Sequence, residues 1–209
     1  MERLIELQRM AAKKVVLRDR FKTGMVGGFD VSYSEDTGFC AGVVMDYNSL
    51  NLIEERIYAS KVKFPYIPTF FAFREGDAII RTYGLLKNKP DIAFINGHGI
   101  SHPRFCGIAC YIGVRLGTAT IGVAQNHLVG EFRKGYGVTE LSYKGKVVGW
   151  VYKRRPFKEI FISPGHMVSL DSSLKIALKM IKGHKLPEPL RVAHILANKA
   201  RRGYENNKA

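Results

Sequence analysis

The sequence is poor in acidic residues, in cysteine and in long apolar runs. These shortages argue against an acidic protein, a disulfide-stabilised protein and a membrane-spanning protein. Its 209 residues include 18 Asp or Glu against 33 Lys or Arg, which gives a net charge of +15. The 3 cysteines are too few, and odd in number, for a disulfide framework. No apolar run reaches transmembrane length, and the charged first 20 residues predict an amphipathic helix, not a secretion signal.

The excess of positive charge predicts a polyanionic partner, most often nucleic acid, because lysine and arginine neutralise phosphates and release counterions. An acidic membrane surface is less favoured, since the sequence has no concentrated amphipathic anchor. A basic chain that is simply soluble is the remaining alternative. We therefore expect a cytoplasmic, monomeric protein with one domain over residues 1–209 and no membrane attachment.

The order of apolar runs and turns predicts an α/β protein. Strands are expected at 26–33, 39–47, 51–62, 92–95, 119–125, 138–143, 147–152 and 159–162. Helices are expected over 1–20, over 69–87 with Thr69 as N-cap, over 106–116, after a cap at Ser169 and from Pro189 onward. The tail 201–209 is expected to be frayed.

The stretch from Pro90 to Arg104, PDIAFINGHGISHPR, is a short buried strand that breaks into glycines, histidines and an arginine. In an open α/β sheet, ligands collect beyond the carboxyl ends of the strands. Glycines let backbone approach a ligand closely, and histidine and arginine side chains supply hydrogen-bond donors. The stretch predicts a binding site, but a plain glycine turn with solvated histidines fits the spacing equally well.

Four polar positions on separate elements are candidates for one site: Asp30, Glu75, Asn96 and His166. Asp30 shares one face of its strand with Gly28 and Ser32, which leaves open space above it. Glu75 shares the apolar face of its helix, where a salt bridge is the alternative explanation. Carboxylates that converge need a cation, and hard oxygen ligands suit magnesium or manganese. Together with the basic charge, this pattern indicates metal-assisted phosphodiester cleavage, with His166 as an acid–base group. No spacing links the four positions.

Five motifs, in this order, resemble those of the endonuclease V family: GGFDVSY, PYIPTFFAFREG, INGHGISHPRFCGIA, TIGVA and SPGHMVSL. The resemblance extends over about residues 1–185. It implies a ribonuclease H-like α/β fold with a central mixed five-stranded sheet flanked by helices. It also implies a magnesium-dependent repair endonuclease, with manganese as the alternative ion. Such enzymes cut DNA, and in some members RNA, at the second phosphodiester bond 3′ to a deaminated base such as inosine.

The same resemblance implies roles for individual residues. The expected metal ligands are Asp30, Glu75 and Asn96, and the expected catalytic group is these three with His166 and Gln125. Tyr66 is expected to fill the gap left by an extruded base, although an ordinary turn aromatic fits its motif as well. The other expected substrate-binding residues are Pro65, Ile67, Pro68, Thr69, Gly97, His98, Gly99, Ile100 and His102.

Three positions depart from the family pattern: Asn96 stands in place of aspartate, Gln125 in place of the usual lysine and Thr69 in place of glycine. Asn96 is neutral and cannot chelate through two oxygens. Gln125 has no charge to offer a phosphate, and Thr69 adds bulk beside the expected base pocket. Two alternatives therefore stay open: a family member that binds nucleic acid without cutting it, and a nuclease with an altered substrate.

Overall fold

The predicted strands assemble into one mixed sheet. The computed structural model describes residues 1–208, and its eight strands lie in the order β3-β2-β1-β4-β5-β8-β7-β6. Their bounds are β1 Met25–Ser34, β2 Thr37–Asp46, β3 Leu52–Lys61, β4 Ile92–Asn96, β5 Ala119–Ala124, β6 Gly137–Tyr143, β7 Lys146–Lys153 and β8 Ile160–His166. The α/β class is confirmed, but the strand count of five implied by the resemblance is too low. Antiparallel pairing continues from β5 through β8 and β7 to β6, which adds three strands.

Five helices accompany the sheet in residues 1–208: α1 Glu2–Lys13, α2 Phe71–Leu85, α3 Ile108–Leu116, α4 Leu170–Met180 and α5 Glu188–Asn206. None of them combines the length and the apolar composition that a membrane-spanning helix requires. The predicted cap at Ser169 is confirmed, because its side chain accepts a hydrogen bond from the backbone N–H of Ser172. Thr69 is not a cap, since α2 begins after Phe70.

Residues 201–206 of the C-terminal tail are helical, so the prediction that they fray is wrong, and residue 209 lies outside the described residues. Helix α5 continues to Asn206, and the ring of Tyr204 packs against Phe39 with 5.2 Å between ring centroids. This contact ties the end of the helix to β2 and gives the polar tail a hydrophobic anchor.

Alternation along β4 divides the core between the two faces of the sheet. Ile92 and Phe94 belong to the hydrophobic cluster that includes residues of α4 and α5. Ala93 and Ile95 belong to a second cluster, which includes residues of α2 and α3. Because successive strand residues point to opposite faces, helices cover both sides of β4 and leave its carboxyl end as the open edge.

Parallel pairing brings the ends of three strands together. Strand β1 pairs with β4 through Phe29 and Ile95, so the next residues, Asp30 and Asn96, stand at one level. Strand β4 pairs with β5 through Asn96 and Val123. The edge that the sequence predicted as a site is therefore formed by adjacent strands.

Helix α5 lies directly against β1 at Gly28. A Cβ atom built on Gly28 would lie only 2.1 Å from the carbonyl oxygen of Pro189, in the first turn of α5. Glycine is thus required for this close backbone approach, which occurs two residues before Asp30.

We expect Gly28→Ala to destabilise the protein by about 1–3 kcal/mol, because the new methyl group must push the α5 backbone away from the sheet. Urea unfolding would measure the change, and amide hydrogen exchange would locate it in α5. Gly84→Ala is the matched control, since nothing lies within 4 Å of a Cβ at that helical position. It should raise stability by roughly 0.5–1 kcal/mol. Equal effects of the two changes would contradict the proposed contact.

Candidate active site

Asp30 is the centre of the site. It is 3% exposed, and each carboxylate oxygen has its own partner. Oδ1 accepts a hydrogen bond from Nδ2 of Asn96 at 2.5 Å, and Oδ2 lies 2.7 Å from Nδ1 of His194. Strand β1 supplies the aspartate, the end of β4 supplies the asparagine, and α5 supplies the histidine. Three elements that are distant in sequence therefore meet at one carboxylate.

His194, and not His166, is the imidazole next to Asp30. His166 pairs with Thr120 in the β5–β8 register, whereas Asn96 pairs with Val123, so His166 lies three residues farther back along β5. Three residues of strand correspond to about 10 Å. The Nδ1 atom of His166 accepts a hydrogen bond from the backbone N–H of Val16 at 3.3 Å, and burial lowers the pKa of this histidine. The structure does not bring His166 to the site.

Sequence reasoning missed His194 because its only signal is its place on a helix. No spacing connects position 194 with position 30, which lies 164 residues away. In the structure, the hydrogen bond to Asp30 raises the pKa of His194, although partial burial opposes the shift. Asn198, one turn later, donates to the carbonyl oxygen of His194 at 2.9 Å and accepts from the hydroxyl of Ser32 at 3.0 Å. The Nδ2 atom of Asn198 also lies 3.1 Å from Nε2 of His194, so this asparagine, held by Ser32, contacts the imidazole itself.

Glu75 is a buried carboxylate on α2 with 2% exposure, as the apolar face of its helix predicted. Its Oε1 atom accepts a hydrogen bond from the Tyr33 hydroxyl. Burial raises the pKa of Glu75 well above its usual value; the Tyr33 hydrogen bond opposes this shift, and the negative charge of Asp30 adds to it. Within residues 1–208, Glu75 forms no salt bridge, so that alternative is wrong. The charge of Asp30 therefore reaches Glu75, which places the two carboxylates in one site.

The donor set around Asp30 and Glu75 fits a hard divalent cation. Across residues 1–208, no three His, Cys, Asp or Glu side chains converge in metal-binding geometry. The amide oxygen of Asn96 and the oxygens of water or substrate would therefore have to complete a coordination shell. Magnesium is commonly held in this way, by one or two carboxylates with the other ligands from water and phosphate. The residues fit such an ion, with one negative charge fewer than three carboxylates supply.

A cavity of about 320 Å³ adjoins this pair through Asn96. Eight of the predicted residues line it: Tyr66, Pro68, Thr69, Asn96, Gly97, His98, His102 and Gln125. Pro65, Ile67, Gly99 and Ile100 are not among its lining residues. A Cβ on Gly99 would lie 2.1 Å from the Pro164 carbonyl oxygen, so this glycine is required for packing on β8. Tyr66 is 66% exposed, with its ring packed edge-on against Phe71.

Two of the three histidines that line the cavity, His98 and His102, are fixed by hydrogen bonds and are not solvated. Nε2 of His98 donates to the carbonyl oxygen of Asn126 at 3.0 Å, and its Nδ1 lies 2.9 Å from the Ser101 hydroxyl. Nε2 of His102 donates to the carbonyl oxygen of Thr69 at 2.9 Å. Burial lowers the pKa of both imidazoles to about 4, so both are neutral near pH 7. The alternative of a plain turn with solvated histidines is therefore wrong.

Thr69 holds a backbone conformation that suits glycine. Its φ is +70°, and a β-branched residue in this left-handed region carries roughly 1–3 kcal/mol of strain. Side-chain nitrogens of Gln8, His102 and Arg104 each donate to its carbonyl oxygen at 2.9 Å. Arg104 also donates to the Thr69 hydroxyl at 2.7 Å. These donors hold the strained backbone in place at the rim of the cavity.

Gln125 contacts a cation from another segment. Its Oε1 atom accepts a hydrogen bond from Nζ of Lys185 at 2.8 Å, and Lys185 lies between α4 and α5. A positive charge therefore lies beside the cavity although position 125 itself is neutral.

Proteins of known identity resemble this chain over nearly its whole length. The family model for endonuclease V matches residues 9–195. An endonuclease V of Dictyoglomus thermophilum is 40% identical over 205 residues, which cover 95% of this chain and 90% of that protein. An endonuclease V of Thermosipho melanesiensis is 39% identical over 199 residues, which cover 92% of this chain and 88% of that protein.

Solved structures agree with the fold. The crystal structure of an endonuclease V from Bacillus subtilis has a TM-score of 0.92 at 28% identity and covers 99% of this chain and 94% of that one. An endonuclease V of Ciona intestinalis, solved with a 24mer DNA containing an inosine followed by a ribo-adenosine, has a TM-score of 0.88 at 28% identity. The match covers 98% of this chain and 100% of that one. The ribonuclease H-like class expected from the motifs is confirmed.

The contacts at the cavity rim predict coupling between Thr69 and Arg104. Arg104→Ala should cost about 1.5–3 kcal/mol of stability, because it removes charge-assisted hydrogen bonds. Thr69→Gly should change stability by less than about 1 kcal/mol, since relief of strain is offset by the greater entropy of the unfolded chain. In the Thr69→Gly background, Arg104→Ala should cost at least about 1 kcal/mol less than it does alone.

Urea unfolding of the four proteins in this cycle would measure the coupling. Thr139→Gly on β6 is the control, where glycine should destabilise by roughly 0.5–1 kcal/mol because no left-handed conformation is relieved. Additive effects of the Thr69 and Arg104 changes would contradict the idea that Arg104 stabilises a strained rim.

Proposed function

The chain belongs to the endonuclease V family, and we propose that it is a magnesium-dependent endonuclease that cuts nucleic acid at the second phosphodiester bond 3′ to a deaminated base such as inosine. The observation that carries the proposal is the placement of the buried pair Asp30 and Glu75 next to a cavity with an exposed aromatic ring, Tyr66. DNA is the first substrate to test, because a relative was solved with inosine-containing DNA. RNA is the second.

The chain's own groups would organise the reaction around Asp30. Magnesium held by Asp30, Glu75 and the amide oxygen of Asn96 would stabilise negative charge on the cleaved phosphodiester. The hydroxyl of Tyr33 would hold Oε1 of Glu75, and the imidazole of His194 would hold Oδ2 of Asp30. The side chain of His194 is 48% exposed, and its Nε2 lies 3.1 Å from Nδ2 of Asn198, so proton exchange with water or with a leaving oxygen would require Nε2 to release this amide.

The cavity would receive the base after it leaves the stack. Extrusion costs a few kcal/mol, and the exposed ring of Tyr66 can offset part of this by stacking in the gap. The neutral imidazoles of His98 and His102 line the cavity, and their hydrogen bonds hold them in fixed positions. A pocket of fixed shape can favour hypoxanthine over guanine, because guanine carries an additional exocyclic amine.

The exposed face of α5 offers a path for the strand. A groove of about 680 Å³ runs along it and is lined by His194, Ile195, Asn198, Lys199, Arg202, Gly203 and Asn206. These lining residues include two cations and no carboxylate. One end of the groove is His194, the partner of Asp30, so a strand in the groove would pass the candidate site. Phosphates of the strand would meet Lys199 and Arg202.

A second candidate function is binding without cleavage. One observation favours it: the amide of Asn96 and the imidazole of His194 occupy both oxygens of Asp30, and no third carboxylate from residues 1–208 joins Asp30 and Glu75. A cation would have to displace the amide nitrogen of Asn96 from Asp30 before it binds. The substitution Asn96→Asp should therefore distinguish the two functions.

We expect the protein to cut a single-inosine DNA with magnesium or manganese, and Asn96→Asp to cut at lower magnesium concentration, because the added charge strengthens ion binding. Product mapping on denaturing gels would locate the cleaved bond, and titration with magnesium would give the half-saturating concentration. Asn51→Asp adds the same charge at an exposed turn and should leave this concentration unchanged.

Flapped and looped DNA without inosine should be cut less than the inosine duplex and single strand. If neither the protein nor Asn96→Asp cuts while both bind, the binding function takes the place of the nuclease. If flapped DNA is the better substrate, the altered-substrate alternative replaces cleavage at a deaminated base.

The α5 groove predicts a change in the salt dependence of binding. Lys199→Ala together with Arg202→Ala should weaken binding of an inosine strand and reduce the slope of log affinity against log salt by about 1.4–1.8, because two phosphate contacts are lost. Fluorescence anisotropy in EDTA at several salt concentrations would measure it. Lys144→Ala with Lys146→Ala removes the same charge at the β6–β7 turn and should alter the slope much less. If the two double variants have equal salt slopes, the bound strand does not follow α5.

A further inference from the structure

Lys185 lies beside the candidate site and has no acidic partner in residues 1–208. Its Nζ atom donates a hydrogen bond to Oε1 of Gln125 at 2.8 Å, and Gln125 lines the cavity together with Asn96. Lys185 is partly buried, whereas Lys182 and His184 in the same segment are exposed. A partly buried ammonium whose hydrogen-bond acceptor is a neutral amide keeps its charge available for an incoming anion.

The surroundings of Lys185 favour an incoming anion. Burial lowers the pKa of Lys185, the positive charge of Lys158 adds to this, and Glu159 opposes it. An ammonium group has three donor hydrogens, of which Gln125 accepts one. Two donors are left for the oxygens of a phosphate, which lysine binds as a point charge.

The segment that carries Lys185 is rigidly attached to the rest of the site. The next residues, Leu186 and Pro187, are buried, and Pro189 packs its carbonyl oxygen against Gly28. The same helix then supplies His194 to Asp30. Lys185 is thus placed by the packing that places the histidine, and its position relative to Asp30 is set by the fold.

We propose that Lys185 is the cation that binds the substrate phosphate at the cavity, and that Gln125 is the residue that positions it. The inference rests on the proposed nuclease function and adds to it a named phosphate contact. It also explains the neutral residue at position 125, because the amide oxygen of Gln125 positions the ammonium group of Lys185, which comes from another segment.

The experiment compares variants of the full chain that remove, keep or relocate this charge. Lys185→Gln and Lys185→Met remove it, Lys185→Arg keeps it, and Gln125→Lys combined with Lys185→Gln moves it to the neighbouring position. Lys182→Gln is the matched control, since it removes one exposed charge from the same segment. Thermal unfolding of each variant identifies any that fail to fold, and the two neutral variants check each other.

Binding of a single-inosine strand in EDTA, measured across salt concentrations, is the first readout. Loss of the Lys185 charge should reduce the salt slope by about 0.7–0.9, which corresponds to one phosphate contact. Single-turnover cleavage is the second readout, where the loss should be on the order of 100-fold, as for removal of one charge-stabilising donor. Lys185→Arg should retain most of the salt slope and most of the cleavage rate. Gln125→Lys combined with Lys185→Gln should restore a large part of both quantities. Lys182→Gln should resemble the unchanged protein in both.

Each outcome decides a separate point. Equal slopes and rates for Lys185→Gln and Lys182→Gln would overturn the role of Lys185, even if inosine DNA is cut. Failure of the relocated charge to improve on Lys185→Gln would overturn the positioning role of Gln125. If the unchanged protein cuts no inosine substrate, the proposed nuclease function fails, and the binding slopes still decide whether Lys185 contacts phosphate.

Discussion

The rest of the site depends on the contact between α5 and β1. Because Gly28 has no side chain, the first turn of α5 approaches the strand backbone closely, and His194 then reaches Asp30. The same approach positions the partly buried Lys185 just before the helix and the cationic groove just after His194. A single missing methyl group thus sets the distance between the strand that carries the aspartate and the helix that carries its partners.

The sequence predicted the fold well because local patterns determine most of it. All eight strands follow from runs and turns in the sequence, while the count of five came from the resemblance and omitted the antiparallel extension. Glu75 was placed correctly since helical spacing alone put it on the apolar face. The polar composition of the tail predicts fraying, but the ring of Tyr204 within it is anchored on β2.

The site was harder to predict, because pairs of residues far apart in sequence leave no mark in local spacing. His194 meets Asp30 across 164 positions, and Lys185 meets Gln125 across 60. The motif around His166 gave a histidine after a strand, but only the β5–β8 register shows at which end of the sheet it lies. The sequence predicts Thr69 as a helix cap, whereas in the structure it has a left-handed backbone and a carbonyl oxygen with three donors at the cavity rim.

Because Asp30 and His194 lie far apart in the sequence, the ribosome synthesises them at different times. Asp30 and Glu75 leave the ribosome early, and the helix that carries His194 leaves late. A nascent chain therefore has its carboxylates long before it has the imidazole and the basic groove. The candidate site is complete only once α5 has left the ribosome.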